Sequence, residues 1–132
     1  VKEDNDKIKS INDLTKDMKV GARIGTTGAD KVKKLKEDGK ISEAKIYNGL
    51  DVAVQDLKNG TISALINDKP VTEAYMKKQS DVIKIVGKTL NAESYGIAVK
   101  KGNTELLDQI NEGMQNIKDS GEFDKIFAKW FD

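Results

Sequence analysis

Lys19-Val20-Gly21-Ala22-Arg23-Ile24, followed at once by Gly25-Thr26-Thr27-Gly28, is the stretch on which the fold turns. Its first six residues are partly β-prone and run into a glycine, so they predict a strand. Asp30 to Asp38 then carries Val32 and Leu35 three apart, a helical spacing. Gly39 ends that helix, as a residue at ease in left-handed backbone should. The alternation repeats along the chain. Ala44-Lys45-Ile46-Tyr47 predicts a second strand, and Asn48 is placed to cap a helix carrying Leu50, Ala53, Val54 and Leu57. After Asn59-Gly60, the run Thr61-Ile62-Ser63-Ala64-Leu65-Ile66 predicts a third strand. Pro70 suits the first turn of a helix over Val71 to Lys78, with Asp68 as a candidate cap. Val82-Ile83-Lys84-Ile85-Val86 predicts a fourth strand bounded by Gly87. Such alternation marks an α/β fold of βαβ units around a mostly parallel sheet. Ligands of these sheets bind outside the carboxyl ends of the strands, which singles out the loops Gly25–Ala29, Asn48–Gly49 and Asn67–Pro70.

The last third has a different character. Tyr95-Gly96-Ile97-Ala98-Val99-Lys100 predicts one more strand. A long amphipathic helix follows from about Asn103 to Ser120, with Leu106, Leu107, Ile110, Met114 and Ile117 on one stripe. Beyond Gly121 come Phe123, Ile126, Phe127, Trp130 and Phe131, which include every Phe and the sole Trp of the sequence. A tail this aromatic needs a surface to bury itself on.

Composition narrows the chemistry. The 132 residues fit one domain of ordinary size. The 23 basic and 22 acidic side chains nearly cancel, to a net charge of +1, which speaks against a whole-surface binder of nucleic acid. No apolar run approaches the roughly 18 residues of a membrane helix. The first residues, Val1-Lys2-Glu3-Asp4-Asn5, do not read as a signal peptide, so any export signal is expected to have been removed or to lie outside this sequence. With no Cys and no His, there is no disulfide, thiolate nucleophile, zinc–sulfur site or imidazole base. Catalysis would have to run on carboxylates, Lys, Tyr or hydroxyls, so an enzyme is disfavoured and no cofactor or metal is expected.

Two loops carry the candidate site. Arg23 is the sole Arg against 22 Lys, and it directly precedes the Gly25-Thr26-Thr27-Gly28 turn. A planar guanidinium, two hydroxyls and the N–H groups at a helix start form a plausible cradle for a carboxylate or phosphate. The plain alternative is a surface Arg beside a Thr helix cap. The spacing fits neither a P-loop nor a dinucleotide fingerprint. The second loop is Asn67-Asp68-Lys69-Pro70. An Asp there faces the same crevice, and with the cradle it matches a zwitterion: ammonium to Asp68, carboxylate to Thr26 and Thr27. Here too the alternative is a cap, with Asp68 bonding the backbone after Pro70. The charged pairs Lys33-Lys34, Glu37-Asp38 and Lys77-Lys78 read as solvated faces, Tyr47 and Tyr75 as packing residues.

Several segments in fixed order resemble the polar amino-acid-binding proteins of ATP-driven importers, the glutamine-binding type in particular. They are Asp13-Leu14, Arg23 to Gly28, Leu57-Lys58-Asn59-Gly60, Asn67 to Pro70, Ser94-Tyr95-Gly96-Ile97-Ala98-Val99-Lys100-Lys101-Gly102-Asn103 and Gly121 to Phe131. The resemblance runs from about Ile8 to Phe131. It implies a two-lobed, hinged receptor of periplasmic-binding-protein-like (type II) fold. Residues 1–93 would be a three-layer αβα second lobe, and residues 94–132 a strand and helices that belong to the first lobe. It assigns the ligand carboxylate to Thr26, to the backbone N–H of Thr27 and to the Gly25 turn, with an Arg of the first lobe, and the α-amino group to Asp68. Arg23 and Asn67 would lie near the ligand's side chain or carboxylate. Glutamine-binding relatives can carry Lys and His at those two positions, so the ligand stays open among polar amino acids. Such receptors run to roughly 220 residues or more, so this chain would supply one jaw, and the amino-terminal part of the first lobe would be the usual partner of the aromatic tail.

The implied function is non-covalent capture of a polar amino acid such as glutamine, outside the cell or in the periplasm, for an ABC transporter permease. The full-length protein would be membrane-anchored in the cell-surface case, and a domain-swapped homodimer is an alternative cover for the tail. The rivals are a small dehydratase on the same scaffold, using Asp68 or a Glu as general acid, and a ligand-sensing domain of a larger protein.

Overall fold

The computed structural model describes residues 1–79, 81–91 and 94–131. Val1–Thr89 and Leu90–Asp132 each pack as a unit of their own. In the first, strands β1 (Lys19–Arg23), β2 (Glu43–Tyr47) and β3 (Ala64–Ile66) alternate with helices α1 (Thr27–Glu37), α2 (Leu50–Lys58) and α3 (Lys69–Lys78). The strands form a parallel sheet in the order β2-β1-β3. A one-turn 3-10 helix at Ile11–Asp13 precedes them, closed by a reciprocal capping box between Ser10 and Asp13.

Alternation along the strands puts a core on each face of the sheet. Val20, Ala22 and Ala64 pack with Ala29 and Val32 of α1 and with Ile8 and Ile41. On the opposite face Tyr47 and Ile62 pack with Ala53, Val54 and Leu57 of α2, with Ile83, and with Leu65 and the α3 residues Tyr75 and Met76 at the margin. This is the three-layer αβα arrangement. Glycine sets how close the layers come. A Cβ on Gly21 would lie 2.7 Å from Ile62 Cδ1 and 2.9 Å from Tyr47 Cε2. One on Gly28 would lie 2.9 Å from the backbone oxygen of Ile66, so the first turn of α1 rests against the end of β3.

Several elements differ from the sequence reading. Helix α1 starts at Thr27 rather than Asp30, because Thr26 caps it. Gly49, not Asn48, occupies the N-cap of α2, without a side-chain bond. Strand β3 is shorter than expected: the N–H groups of Thr61 and Ile62 both turn back to the Asp56 carbonyl, closing the end of α2, before Ser63 N–H reaches the Lys19 carbonyl at 2.8 Å. The expected strand over Val82–Val86 does not join the parallel sheet. Ile83 instead makes an isolated antiparallel bridge to Lys2, with Glu3 N–H to Val82 O at 3.2 Å and Lys84 N–H to Val1 O at 2.9 Å. Tyr95 to Lys100 forms no ladder among the described residues. A strand exists only through a neighbour, and Tyr95 and Ile97 stand exposed.

The second unit holds α4 (Thr104–Asp119), capped by Asn103, and α5 (Glu122–Phe131), with Gly121 at φ +71° between them. The Phe123 and Phe127 rings stack with centroids 6.4 Å apart, while Ile126, Phe127 and Trp130 keep large exposed areas. No helix among the described residues is long and apolar enough to cross a membrane.

A polar clasp ties β2 to α2. Lys45 Nζ and the Tyr47 hydroxyl both donate to Asp56 Oδ2, at 2.8 and 2.7 Å. Burial, and then Asp56 as acceptor, pushes the Tyr47 hydroxyl above its usual range and keeps it a donor. The bonds from Lys45 and then Tyr47 hold the Asp56 carboxyl below its usual range. A depressed carboxyl adds stability above its unfolded value of about 3.9 and loses it as pH falls through the lower folded value. In acid melts, Asp56→Asn should therefore flatten the loss of stability below about pH 4 that the unaltered chain shows; an unchanged pH profile would exclude the clasp as a contributor. Gly28→Ala should cost about 1–3 kcal/mol in denaturant unfolding, because the oxygen it meets belongs to backbone; a neutral effect would mean that α1 is free to shift away from β3.

Candidate functional site

The site is built by register. In the parallel ladders Arg23 pairs with Tyr47, and Ala22 pairs with Ile66. Asn67 therefore follows one step past the last β1–β3 pair, beside Arg23. The carboxyl ends of β2, β1 and β3 thus share one edge, and Arg23, Gly25, Thr26, Thr27, Asn67 and Asp68 all stand on it. The Asn48–Gly49 loop lies on the same edge, after β2.

Gly25 makes the turn into α1 at φ +72°, a conformation that favours glycine. Thr26 follows as the N-cap. Its hydroxyl donates to the Arg23 carbonyl at 2.8 Å and accepts from Ala29 N–H at 3.2 Å. The hydroxyl proton is thereby committed, so Thr26 does the work of a cap. An anion here would meet the N-terminal end of α1, where backbone N–H groups and the positive end of the helix dipole face outward. Gly28, buried against Ile66, holds that helix end close to β3.

Asp68 is differently placed. It occupies the N-cap position of α3, yet its carboxylate makes no capping bond. Pro70, in the first turn, has no N–H to offer. The Thr72 hydroxyl bonds the Asp68 carbonyl at 2.9 Å, and Asn67 Nδ2 donates to the same hydroxyl at 3.1 Å. The backbone of this loop is thus fixed by Thr72 while the half-buried carboxylate is left over for another partner. Arg23 shows the complementary feature. Among the described residues, its Nε is the one buried side-chain nitrogen or oxygen with no hydrogen-bond partner. Leaving such a donor unsatisfied costs roughly 1–3 kcal/mol, so it calls for an acceptor.

Two contributors escaped the sequence reading. Gly28 reads in the sequence only as part of the turn, and Thr72 lies four residues after Asp68, a spacing at which a hydroxyl can back-bond a carbonyl. Among the described residues, no cluster of metal-ligating side chains is placed to hold a metal ion.

Comparison with known proteins follows the same lines. Residues 1–132 match the model of the bacterial extracellular solute-binding proteins, family 3. A protein from Neisseria gonorrhoeae named "Probable histidine-binding protein" is 34% identical over 129 residues, covering 95% of this chain and 47% of that protein. A solved ancestral arginine-binding protein bound to arginine is 44% identical with a TM-score of 0.84, covering 100% of this chain and 58% of that one. An ancestral arginine-binding protein bound to glutamine is 44% identical with a TM-score of 0.81, covering 99% and 57%. The chain spans about half the length of these proteins. With the family model matched from end to end and the parallel α/β fold shared, the chain belongs to the bacterial extracellular solute-binding proteins, family 3.

Proposed function

We propose that this chain supplies one jaw of a receptor that captures a polar amino acid, such as glutamine, outside the cell or in the periplasm and presents it to the permease of an ABC importer. The observation that carries this reading is the Asp68 carboxylate, held at an N-cap without a capping bond, on the same sheet edge as the amino-terminal end of α1. A carboxylate and a helix N-terminus side by side are complementary to the ammonium and carboxylate of an amino acid. The proteins it resembles are named for binding histidine and arginine, and one was solved with glutamine. Those ligands share the zwitterionic head and differ in the side chain. Binding is non-covalent, and closure of the two lobes on the ligand excludes water. The family is one of solute-binding proteins, and in our reading Asp68 is an anchor for the α-amino group and not a general acid.

In this reading residues 1–93 form the second lobe, and residues 94–132 return to the first. The exposed Ile126, Phe127 and Trp130 side chains are then covered by the remainder of that lobe. A second copy of the chain covering them by domain swap is the alternative, and light scattering of the chain at high concentration separates the two: a strict monomer removes the swap.

Asp68→Asn tests the anchor. Loss of a charge-assisted hydrogen bond of about 1.5–3 kcal/mol should weaken amino-acid binding by the complete receptor by roughly ten- to a hundredfold. Calorimetric titration with glutamine, arginine, glutamate and histidine reads this directly, and unchanged affinity for every ligand bound would contradict it. Residues 1–132 alone should bind far more weakly than the complete receptor, since they hold half of the contacts.

A further inference from the structure

The sequence holds two Asn-Gly pairs, Asn48-Gly49 and Asn59-Gly60, and the fold treats them differently. Asparagine before glycine is chemically labile, because the following backbone nitrogen can reach the side-chain carbonyl carbon and glycine has no Cβ to hinder it. Two contacts restrain that reaction: a hydrogen bond that occupies the N–H, and one that holds the side-chain amide. Asn59-Gly60 has both. Gly60 N–H donates to the Leu57 carbonyl at 3.2 Å, and Asn59 Oδ1 accepts from Gln55 Nε2 at 3.1 Å. Asn59 is also the C-cap of α2, with its own N–H on the Gln55 carbonyl at 3.0 Å. Asn48-Gly49 has neither restraint. Asn48 is exposed, and among the described residues neither its amide nor the Gly49 N–H has a hydrogen-bond partner. The space beside Gly49 is open as well, since a Cβ there would meet nothing within 4 Å.

We propose that Asn48 is a site of spontaneous covalent modification, converting to aspartate and isoaspartate through a cyclic imide shared with Gly49, while the fold protects Asn59. The Gly49 nitrogen gives up its proton to hydroxide and bonds to Asn48 Cγ. The Cγ–Nδ2 bond breaks, and ammonia leaves. Water then opens the ring. Breaking the new bond to Cγ gives aspartate in the ordinary chain, and breaking the bond to the Asn48 backbone carbonyl carbon gives isoaspartate. Either product has OH in place of NH2 and ionises to one more negative charge. That charge stands just before the N-cap Gly49, where the positive end of the α2 dipole favours it. It also joins the sheet edge that carries Arg23, because Arg23 pairs in register with Tyr47. The isoaspartyl form adds a methylene to the backbone at the entry to α2. None of this depends on the amino-acid-binding reading.

The test is a peptide mass map of the complete receptor, aged in mildly alkaline heavy-oxygen water and compared with an unaged control. Lys58 lies between the two asparagines, so cleavage after lysine places them in separate peptides. Asn48 should convert to the acid, with heavy oxygen incorporated, several-fold faster than Asn59. Part of the product should be isoaspartate, which an isoaspartyl methyltransferase labels. In denaturant the fold protects neither residue, and the two rates should converge. Gly49→Ala suits the open space and the extended φ of -135°, and it should slow conversion of Asn48 several-fold while leaving Asn59 as it was. Equal rates in the folded receptor, or a slower rate at Asn48, overturn the proposal. So does a rate at Asn48 that a folded Gly49→Ala leaves unmoved. A difference that persists undiminished in denaturant overturns the protective role of the fold.

Discussion

Parallel pairing of β1 with β3 is the constraint from which the site follows. Val20↔Ala64, Gly21↔Leu65 and Ala22↔Ile66 fix the register, and past the last pair each strand enters a turn leading to a helix. A slip of one residue in either strand would turn that strand's apolar side chains, Val20 and Ala22 in β1 or Ala64 in β3, away from α1 and into the wrong core. The hydrophobic pattern thus locks the register, and the register locks the distance between two polar turns that are more than forty residues apart in sequence. Gly28 closes the arrangement. Its missing side chain lets the start of α1 rest on the Ile66 carbonyl, so the helix end and the β3 turn are set by one contact. Packing thus sets the geometry of the candidate site.

Helix capping explains how the two turns differ. Thr26 and Asp68 both sit at N-caps, and both belong to the residue types favoured there. Thr26 performs the cap, its hydroxyl donating to Arg23 O and accepting from Ala29 N–H. Asp68 does not. Pro70 offers no N–H, and Thr72 ties down the carbonyl, so the loop keeps its shape without drawing on the carboxylate. One end of the site therefore relies on backbone dipoles and the other on a full charge. In the proposed reading, that pairing meets the two charges at the head of a zwitterion.

Much of this was legible in the sequence because it is local. The strand cores around Val20, Ile46 and Ala64, the apolar stripe of α2 and the helix after Pro70 follow from short-range pattern, and they suffice to place both turns on one sheet edge. Elements that depend on distant partners were not legible. Val82–Val86 has the composition of a strand, but Ile83 finds its partner in Lys2, at the other end of the unit. Tyr95 to Lys100 reads as a strand, yet finds no ladder among the described residues. The cap at Gly49 was missed because Asn48 is the better capping residue by type, and only the backbone geometry decides between neighbours. Within the site, the cap describes Thr26, whereas Asp68 stands at its N-cap without a capping bond and with its carbonyl bonded by the Thr72 hydroxyl, an arrangement that no residue type announces.

The account stands or falls on whether these turns hold the ligand. Backbone amide resonances of the isotopically labelled complete receptor, followed while glutamine is added, test it most directly. The account predicts that within residues 1–89 the largest shifts fall on Gly25–Ala29 and Asn67–Thr72, at the carboxyl edge of the sheet. Shifts centred on the opposite edge, near Met18 and Ser63, with those two turns unmoved, would contradict it.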